Sequence, residues 1–158
     1  MEYDAESSSA KIEQQPMKFM LAGKAFFTLR STKTGNRFTY KVVRATDKDT
    51  NEPINLWFVS FLTGPDNWAN YTYIGVIREV VKAPSISVYE FHTSQKSKLP
   101  VDAPPCKAII YVIDCLQSRP DAPGAEIWHA GRCGRCGRML TVPESIASGF
   151  GPECESLI

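Results

Sequence analysis

The chain has 158 residues, of which 43% are hydrophobic and 22% charged, and a formal net charge of +1. This balance is typical of a soluble globular domain with a hydrophobic core, and it excludes disorder throughout. No apolar run approaches the roughly 20 residues that cross a bilayer, and the N-terminal residues lack the apolar segment of a signal peptide, so we expect a cytoplasmic protein with no membrane partner.

The first 16 residues are acidic and polar, with a net charge of −3. They carry too little apolar surface to offset the entropy lost on ordering, so we predict a disordered leader over residues 1–16. The rest of the chain then carries +4, which permits an anionic partner without requiring one.

After Pro16 the chain becomes rich in aromatic and aliphatic residues. Four segments are predicted as strands, because they alternate between apolar and polar residues or form short apolar runs bounded by turn signals. Their sequences are KFMLAGKAFFTLRS, NRFTYKVVRAT, INLWFVSFLTG and YTYIGVIREVV. The closely spaced turn signals between them indicate an antiparallel meander.

A polar stretch, FHTSQKSKLPVDAPP, predicts a loop, and a helix is predicted after it in PPCKAIIYVIDCLQSR. The prolines suit a helix start, and apolar residues recur at helical spacing, namely Ile109, Val112, Ile113 and Leu116. The β-branched content leaves a buried strand as the alternative. We therefore predict an α+β fold with an antiparallel sheet of about four or five strands, one helix and a C-terminal zinc knuckle.

The C-terminal part of the chain has the pattern H-x3-C-x2-C-x17-C, formed by His129, Cys133, Cys136 and Cys154. Two thiolates on a tight turn can point at one centre, and the turn needs glycine so that its N–H groups can face the sulfurs. One imidazole and three sulfurs fill the tetrahedron that zinc prefers. The pattern predicts a structural Zn²⁺ site with no open position.

Three other interpretations of the cysteines remain open. A redox-active C-x-x-C of the thioredoxin type needs a strand before it and a helix directly after it, and the flanking glycines do not suit these. Disulfides are disfavoured in a reducing compartment, and five cysteines cannot all pair. Cysteines that simply pack in the core are common, which is the favoured interpretation of Cys106 and Cys115 in the predicted helix.

Residues 129–154, HAGRCGRCGRMLTVPESIASGFGPEC, resemble an uncharacterised family of short Cys/His domains from phage, prophage, plasmid and actinobacterial proteins. The chain matches the family pattern H-x-G-x-C-x-x-C-G-R-x-L-T-x-P-x-S-I-x-x-G-x-G-P-x-C at every specified position. The resemblance implies a zinc-binding module of unknown function. GKAFFTLRSTKTGNRFTYKV and WFVSFLTGPDNWANYTYIG more loosely resemble the β-rich segment found beside it in phage proteins.

From these observations we expect a β-rich domain with one helix over residues 17–127. A zinc-binding knuckle over residues 128–158 is expected to pack on that domain and to hold the last part of the chain through Cys154.

Three arginines recur at every third position around the predicted knuckle, namely Arg132, Arg135 and Arg138. Side chains between metal ligands point outward, and guanidinium groups fanned from a rigid loop can grip phosphates. The alternative is a solvated loop whose arginines pair with nearby glutamates.

The sheet offers a second candidate surface. Arg37 and Lys41 lie in a basic hairpin and are predicted phosphate contacts, while Trp68 and Tyr71 lie at a probable loop and are predicted stacking platforms for bases. The alternative is that the aromatic residues fill the core, which is favoured for Phe38, Trp57 and Phe58.

The sequence carries no G-x-S-x-G, P-loop or H-E-x-x-H motif, and no small-molecule substrate is evident. Residue 131 is glycine where a zinc deaminase needs its glutamate. We therefore predict a non-enzymatic, phage-type accessory protein of the host cytoplasm that binds nucleic acid, with single-stranded DNA or RNA favoured. The alternative is a host–virus interaction module that inhibits a host enzyme or a host defence complex.

Overall fold

The computed structural model describes residues 10–12, 15–65, 69–119, 124–140 and 143–157. These residues form one antiparallel sheet, one long helix and three short helices. The strands are β1 (Ala10–Lys11), β2 (Lys24–Ser31), β3 (Arg37–Thr46), β4 (Pro53–Leu62), β5 (Tyr71–Ala83), β6 (Ile86–His92) and β7 (Ala125–His129). The helices are α1 (Pro16–Met20), α2 (Pro104–Ser118), α3 (Pro143–Ser148) and α4 (Pro152–Ser156).

The sheet is curled, and its strand order is β1-β7-β2-β3-β4-β5-β6. Strands β2 to β6 form the predicted meander. Strand β7 returns after α2 to pair with β2, and β1 pairs with the other edge of β7. The strand that leads into the cysteine cluster is therefore part of the sheet.

The inner face of the sheet packs against α2. Alternate residues of the strands, among them Phe27, Tyr40 and Val42, are fully buried and share one hydrophobic cluster with Ile109 of α2. The hydroxyl of Tyr40 donates a hydrogen bond of 2.6 Å to the carbonyl oxygen of Pro105 at the start of α2. A buried hydroxyl needs such a partner, so this bond fixes the helix on the sheet.

The opposite side of the sheet, the outer face, presents side chains one residue out of phase with the core. Cross-strand pairing aligns these residues in rows, one of which is Lys24, Val43, Phe58, Val76 and His92. The next row is Phe26, Lys41, Ser60 and Tyr73. Because α2 occupies the inner face, the outer face is open at Phe58, which is 43% exposed, whereas Phe26 is covered by Tyr71 and Arg132 and is 3% exposed.

The predicted α+β class and antiparallel sheet are confirmed, and so is the long helix at residues 104–118. The predicted strand count was too low, because β1, β6 and β7 were missed. The first predicted strand begins with α1 instead, since Pro16 at the helix start allows one short turn in which Phe19 and Met20 become buried.

Part of the predicted leader packs against the sheet. Residues 10–11 pair with β7, and the amide of Ile12 donates a hydrogen bond of 2.7 Å to the carbonyl oxygen of Ile127. Of the helices in the described ranges, none has the length and apolar character needed to cross a membrane.

Candidate metal centre

Three cysteines meet beyond the end of β7. The sulfur atoms of Cys133, Cys136 and Cys154 all lie within 4.8 Å of one another. Cys133 and Cys154 are buried, while Cys136 is exposed. Three thiols this close form a soft donor set that could hold a metal ion.

The first two cysteines lie on a tight hairpin. Arg132 and Met139 form a β-bridge at its base, and the amide of Cys133 donates a hydrogen bond of 2.8 Å to the carbonyl oxygen of Arg138. At the tip, the amide of Gly137 donates a 2.9 Å bond to the carbonyl oxygen of Cys133. Gly137 has a φ of 79°, which a residue with a Cβ rarely adopts.

The third cysteine reaches the cluster by way of α3 and α4. Gly149, with a φ of 82°, ends the turn after α3, and its carbonyl oxygen accepts a 2.9 Å hydrogen bond from the amide of Gly134. Pro152 then starts α4, which carries Cys154. The predicted return of the chain from hairpin to third cysteine is therefore present.

Backbone amides make the cluster favourable for thiolates. Burial alone would raise the pKa of Cys133, but hydrogen bonds from the backbone of Gly151, Cys136 and Arg135 hold that pKa below its ordinary value. Burial raises the pKa of Cys154, although Arg135 donates a 3.6 Å hydrogen bond from Nη1 to its sulfur. Amides that turn toward a sulfur stabilise its negative charge, as a metal-binding turn requires.

His129 lies outside the cysteine cluster, which corrects the predicted four-ligand set. The amide of Gly131 donates a 2.9 Å hydrogen bond to Nδ1 of His129. The ring's other nitrogen, Nε2, is hydrogen bonded to the carbonyl oxygen of Ile146. A carbonyl can only accept, so Nε2 carries the proton and neither nitrogen has a lone pair left for a metal.

The buried imidazole is neutral. Burial lowers the pKa of His129, although the hydrogen bond to Ile146 acts in the opposite direction. The side chain therefore ties the end of β7 to α3 as a neutral hydrogen-bonding group, and the cysteine cluster supplies three ligands where four were predicted.

The hairpin packs on α1 and the start of β2. The amide of Lys24 donates a 2.9 Å hydrogen bond to the carbonyl oxygen of Gly134. The ring of Phe19 lies against Gly134 and Gly149 so closely that a Cβ at either glycine would fall within 2.9 Å of ring carbons. Close packing therefore requires glycine at both positions, and the positive φ of Gly149 requires it there as well.

The three arginines of the hairpin point to different surroundings. Arg132 donates from Nη1 to the carbonyl oxygen of Gly137 at 3.1 Å, and its guanidinium lies 5.8 Å from the ring centroid of Phe26 on the outer face. Arg135 contacts the sulfur of Cys154, and Arg138 is exposed. Arg132 and Arg135 therefore contact different groups, and the role of the three arginines as phosphate contacts stays a prediction.

The predicted contacts on the sheet fall on the outer face. Arg37 is exposed at the start of β3, and Lys41 places its Nζ 5.4 Å from the ring centroid of Tyr71. Tyr71 is the first residue of β5 rather than a loop residue, and its ring packs edge-on against Phe26 at 5.7 Å. Trp68 lies outside the described residues.

Sequence reasoning missed two aromatic residues of this surface. Phe58 was favoured as a core residue but is exposed on the outer face, where its ring meets that of Tyr73 edge-on at 6.4 Å. The signal was available, because Trp57 and Phe58 are adjacent in one strand and must point to opposite faces. Trp57, at 3% exposure, occupies the inner face as predicted.

A family model described as "Family of unknown function (DUF6011)" matches residues 127–158, the segment that contains the end of β7 and the cysteine cluster. No curated protein and no solved structure matches the chain. The match therefore connects the C-terminal fifth of the chain with a family whose activity has no description.

Proposed function

We propose that this protein is a non-enzymatic nucleic-acid-binding module that holds single-stranded DNA or RNA on the outer face of its sheet. The observation that carries the proposal is the exposed ring of Phe58 beside the half-buried ring of Tyr73, flanked by cations on the side of the sheet that α2 leaves accessible. Rings of this kind stack with bases of any sequence, while cations follow the phosphates.

Charge on the outer face favours a polyanion. Seven basic residues share this face with two carboxylates: Lys11, Lys24, Arg30, Arg37, Lys41, Arg78 and Lys82 against Glu90 and Glu126. Both carboxylates already form ion pairs, Glu126 with Lys11 and Arg30 and Glu90 with Lys82. In the described part of the chain, Lys24, Arg37 and Arg78 have no carboxylate partner.

The cations and rings lie at distances suited to an extended strand. Lys41 lies two residues before Val43, which pairs with Phe58 across β3 and β4. Arg78 lies two residues after Val76, the partner of Phe58 on β5. Residues two apart on a strand are separated by about 6.5–7 Å, which is close to the spacing of successive phosphates in an extended single strand. Adjacent phosphates and bases can therefore be contacted together.

The cysteine cluster has a structural role in this proposal. We assign it a Zn²⁺ ion held by the thiolates of Cys133, Cys136 and Cys154, because thiolate sulfur is a ligand that zinc prefers, although these are one ligand fewer than the four of a closed structural site. Bound zinc would supply a fixed crosslink between the hairpin and α4. The hairpin in turn places Arg132 against Phe26 at the edge of the outer face.

The test is fluorescence anisotropy with a labelled single-stranded oligonucleotide and a matched duplex. We expect binding that weakens steeply between about 50 mM and 200 mM salt, because lysine and arginine contacts release counterions. Substitution Lys41→Met should reduce the slope of log K against log salt by about 0.7. Substitution Phe58→Ala should cost about 1–3 kcal/mol at every salt concentration.

Lys48→Met is the matched control, because Lys48 is exposed in the turn between β3 and β4 and lies away from the aromatic rows. Binding that ignores salt, or that is equally weakened by Lys41→Met and Lys48→Met, would reject the proposal.

A second candidate function is that of a protein-interaction module. Exposed apolar residues at the edge of the sheet favour it. Val81 and Ile86 at the β5–β6 hairpin are 72% and 57% exposed, and exposed apolar groups of this size mark docking surfaces when they cluster. Affinity capture from host lysate with and without nuclease separates the two candidates. A partner retained after nuclease supports protein binding, and a partner lost after nuclease supports the nucleic-acid surface.

A further inference from the structure

A cleft of about 760 Å³ lies on the inner side of the sheet, away from the outer face. Its walls come from α1, from β3 and β4, and from the cysteine hairpin. This volume falls within the roughly 300–1,000 Å³ typical of small-molecule sites. The cleft shares Arg135 with the cysteine hairpin, where its Nη1 contacts the sulfur of Cys154, and it shares no residue with the proposed nucleic-acid surface.

Three cations and one carboxylate line the cleft, namely Lys18, Arg44, Arg135 and Glu79. They come from α1, β3, the cysteine hairpin and β5, so the fold brings together charges that are distant in sequence. Lys18 and Arg135 are exposed, and in the described part of the chain Lys18 has no side-chain partner. An excess of cations around one concave space favours an anionic ligand.

Arg44 is held in a fixed orientation. Its Nε donates a 2.8 Å hydrogen bond to the carbonyl oxygen of Ile54, and its Nη2 donates a 2.7 Å bond to Oδ1 of Asn55. The guanidinium also lies 5.1 Å from the ring centroid of Trp57. These contacts leave both hydrogens of Nη1 available for an oxyanion, without the entropic cost of ordering the side chain.

The carboxylate does not neutralise this arginine directly. Glu79 accepts a 3.4 Å hydrogen bond from Nδ2 of Asn55 and also accepts from Tyr89, whose pKa is raised first by burial and then by that carboxylate. Asn55 therefore stands between the arginine and the acid, so the positive charge of Arg44 remains directed into the cleft.

The floor of the cleft is apolar and aromatic. Trp57 and Tyr89 meet edge-on at 5.6 Å, and the indole N–H donates a 2.9 Å hydrogen bond to the carbonyl oxygen of Leu21. Met17 and Leu21 contribute aliphatic surface beside these rings. A ligand that satisfies both the cations and this floor carries an anionic group on an organic body.

We infer that the cleft binds a small organic phosphate, with the phosphate group held by Lys18, Arg44 and Arg135 and the organic part against Leu21 and Tyr89. Arginine presents paired N–H donors that match phosphate oxygens, and lysine adds a point charge. This inference does not depend on the proposed nucleic-acid surface, because the two sites lie on opposite faces of the sheet.

The test is isothermal titration calorimetry on the metal-loaded protein with ADP, a hexose 6-phosphate, inorganic pyrophosphate and adenosine. We expect at least one of the two organic phosphates to bind, pyrophosphate to bind more weakly than that ligand, and adenosine to show no binding. Lys18→Met and Arg44→Met should each weaken the organic phosphate by about tenfold, as expected for the loss of a charged hydrogen bond.

Matched variants separate this site from the outer face. Lys41→Met should leave the affinity for the organic phosphate unchanged, and Lys18→Met should leave oligonucleotide affinity unchanged. Lys18 is exposed, so Lys18→Met keeps the test valid if Arg44→Met fails to fold. The inference is overturned if neither organic phosphate binds, if adenosine binds as tightly, or if Lys18→Met weakens only the oligonucleotide.

Discussion

At the scale of single residues, the hydrogen bonds of His129 determine whether the chain offers a metal three ligands or four. Both of its ring nitrogens are engaged by the backbone of Gly131 and Ile146, so we expect His129→Asn to retain one metal ion per chain. The variant should lose about 1–3 kcal/mol of unfolding free energy, because buried hydrogen-bonding groups are left unsatisfied. Metal content by mass spectrometry and unfolding in urea measure the two effects.

The comparison variant is Cys136→Ser, which removes a sulfur ligand and should abolish stoichiometric metal. If His129→Asn loses its metal to the same extent as Cys136→Ser, the imidazole is a ligand and the three-sulfur site is wrong.

At the scale of secondary-structure elements, one carboxylate joins three strands. Glu126 of β7 forms ion pairs with Arg30 of β2 at 2.9 Å and with Lys11 of β1 at 3.5 Å. The hydrogen bond from Arg30 is the main reason that the pKa of Glu126 lies below its ordinary value. A lowered folded-state pKa adds stability at neutral pH that is lost as the pH falls through that pKa.

We therefore expect Glu126→Gln to reduce the unfolding free energy at pH 7 by no more than about 1 kcal/mol, since exposed ion pairs contribute little. The difference from the unsubstituted chain should be smaller at pH 3, because the contribution of the lowered pKa is lost progressively as the pH falls below the unfolded-state value of about 4.3 and through the folded-state pKa. Urea unfolding at both pH values measures this, with Glu52→Gln as a control in an exposed turn. An equal loss at both pH values would show that the ion pairs are not its cause.

The strands and α2 show which secondary-structure elements a sequence pattern can predict. Alternation located β3, β4 and β5 because their inner residues are apolar, and helical spacing located α2 because four buried residues repeat along one face. Strand β6 was missed although its first residues alternate between apolar and polar side chains, because this short segment follows a proline turn and its last two residues, Phe91 and His92, were included in the predicted loop. Strand β7 was missed because it has five residues, and its partner β2 lies almost a hundred positions earlier in the chain.

Part of the cysteine cluster can be predicted from the sequence, and part of it cannot. The spacing of Cys133 and Cys136 is a local property of a tight turn, so the sequence carries it directly. The role of His129 depends on the carbonyl oxygen of Ile146, which α3 brings to the ring. No local pattern encodes that contact, and a histidine four residues before a cysteine pair therefore suggested a ligand.

At the scale of the whole molecule, the cysteine cluster and the sheet share one hydrophobic core. Cys133, Leu140, Phe150 and Cys154 belong to the same buried cluster as the inner face of the sheet and α2. Phe19 connects the two parts, because its ring lies 5.6 Å from that of Phe150 and 5.9 Å from that of His129. Loss of the hairpin would therefore uncover part of the main core.

This shared core predicts that metal binding stabilises the entire chain rather than its C-terminal part. A metal that binds only the folded state adds about 2.7 kcal/mol when its free concentration is one hundred times its Kd. We expect a single unfolding transition by circular dichroism, with a midpoint that falls when a chelator removes the metal, while Cys136→Ser does not respond to the chelator. Two separate transitions, with the strand signal unmoved by chelation, would instead show that residues 128–158 fold independently of the sheet, because the buried contacts of Phe19 would then contribute no cooperativity.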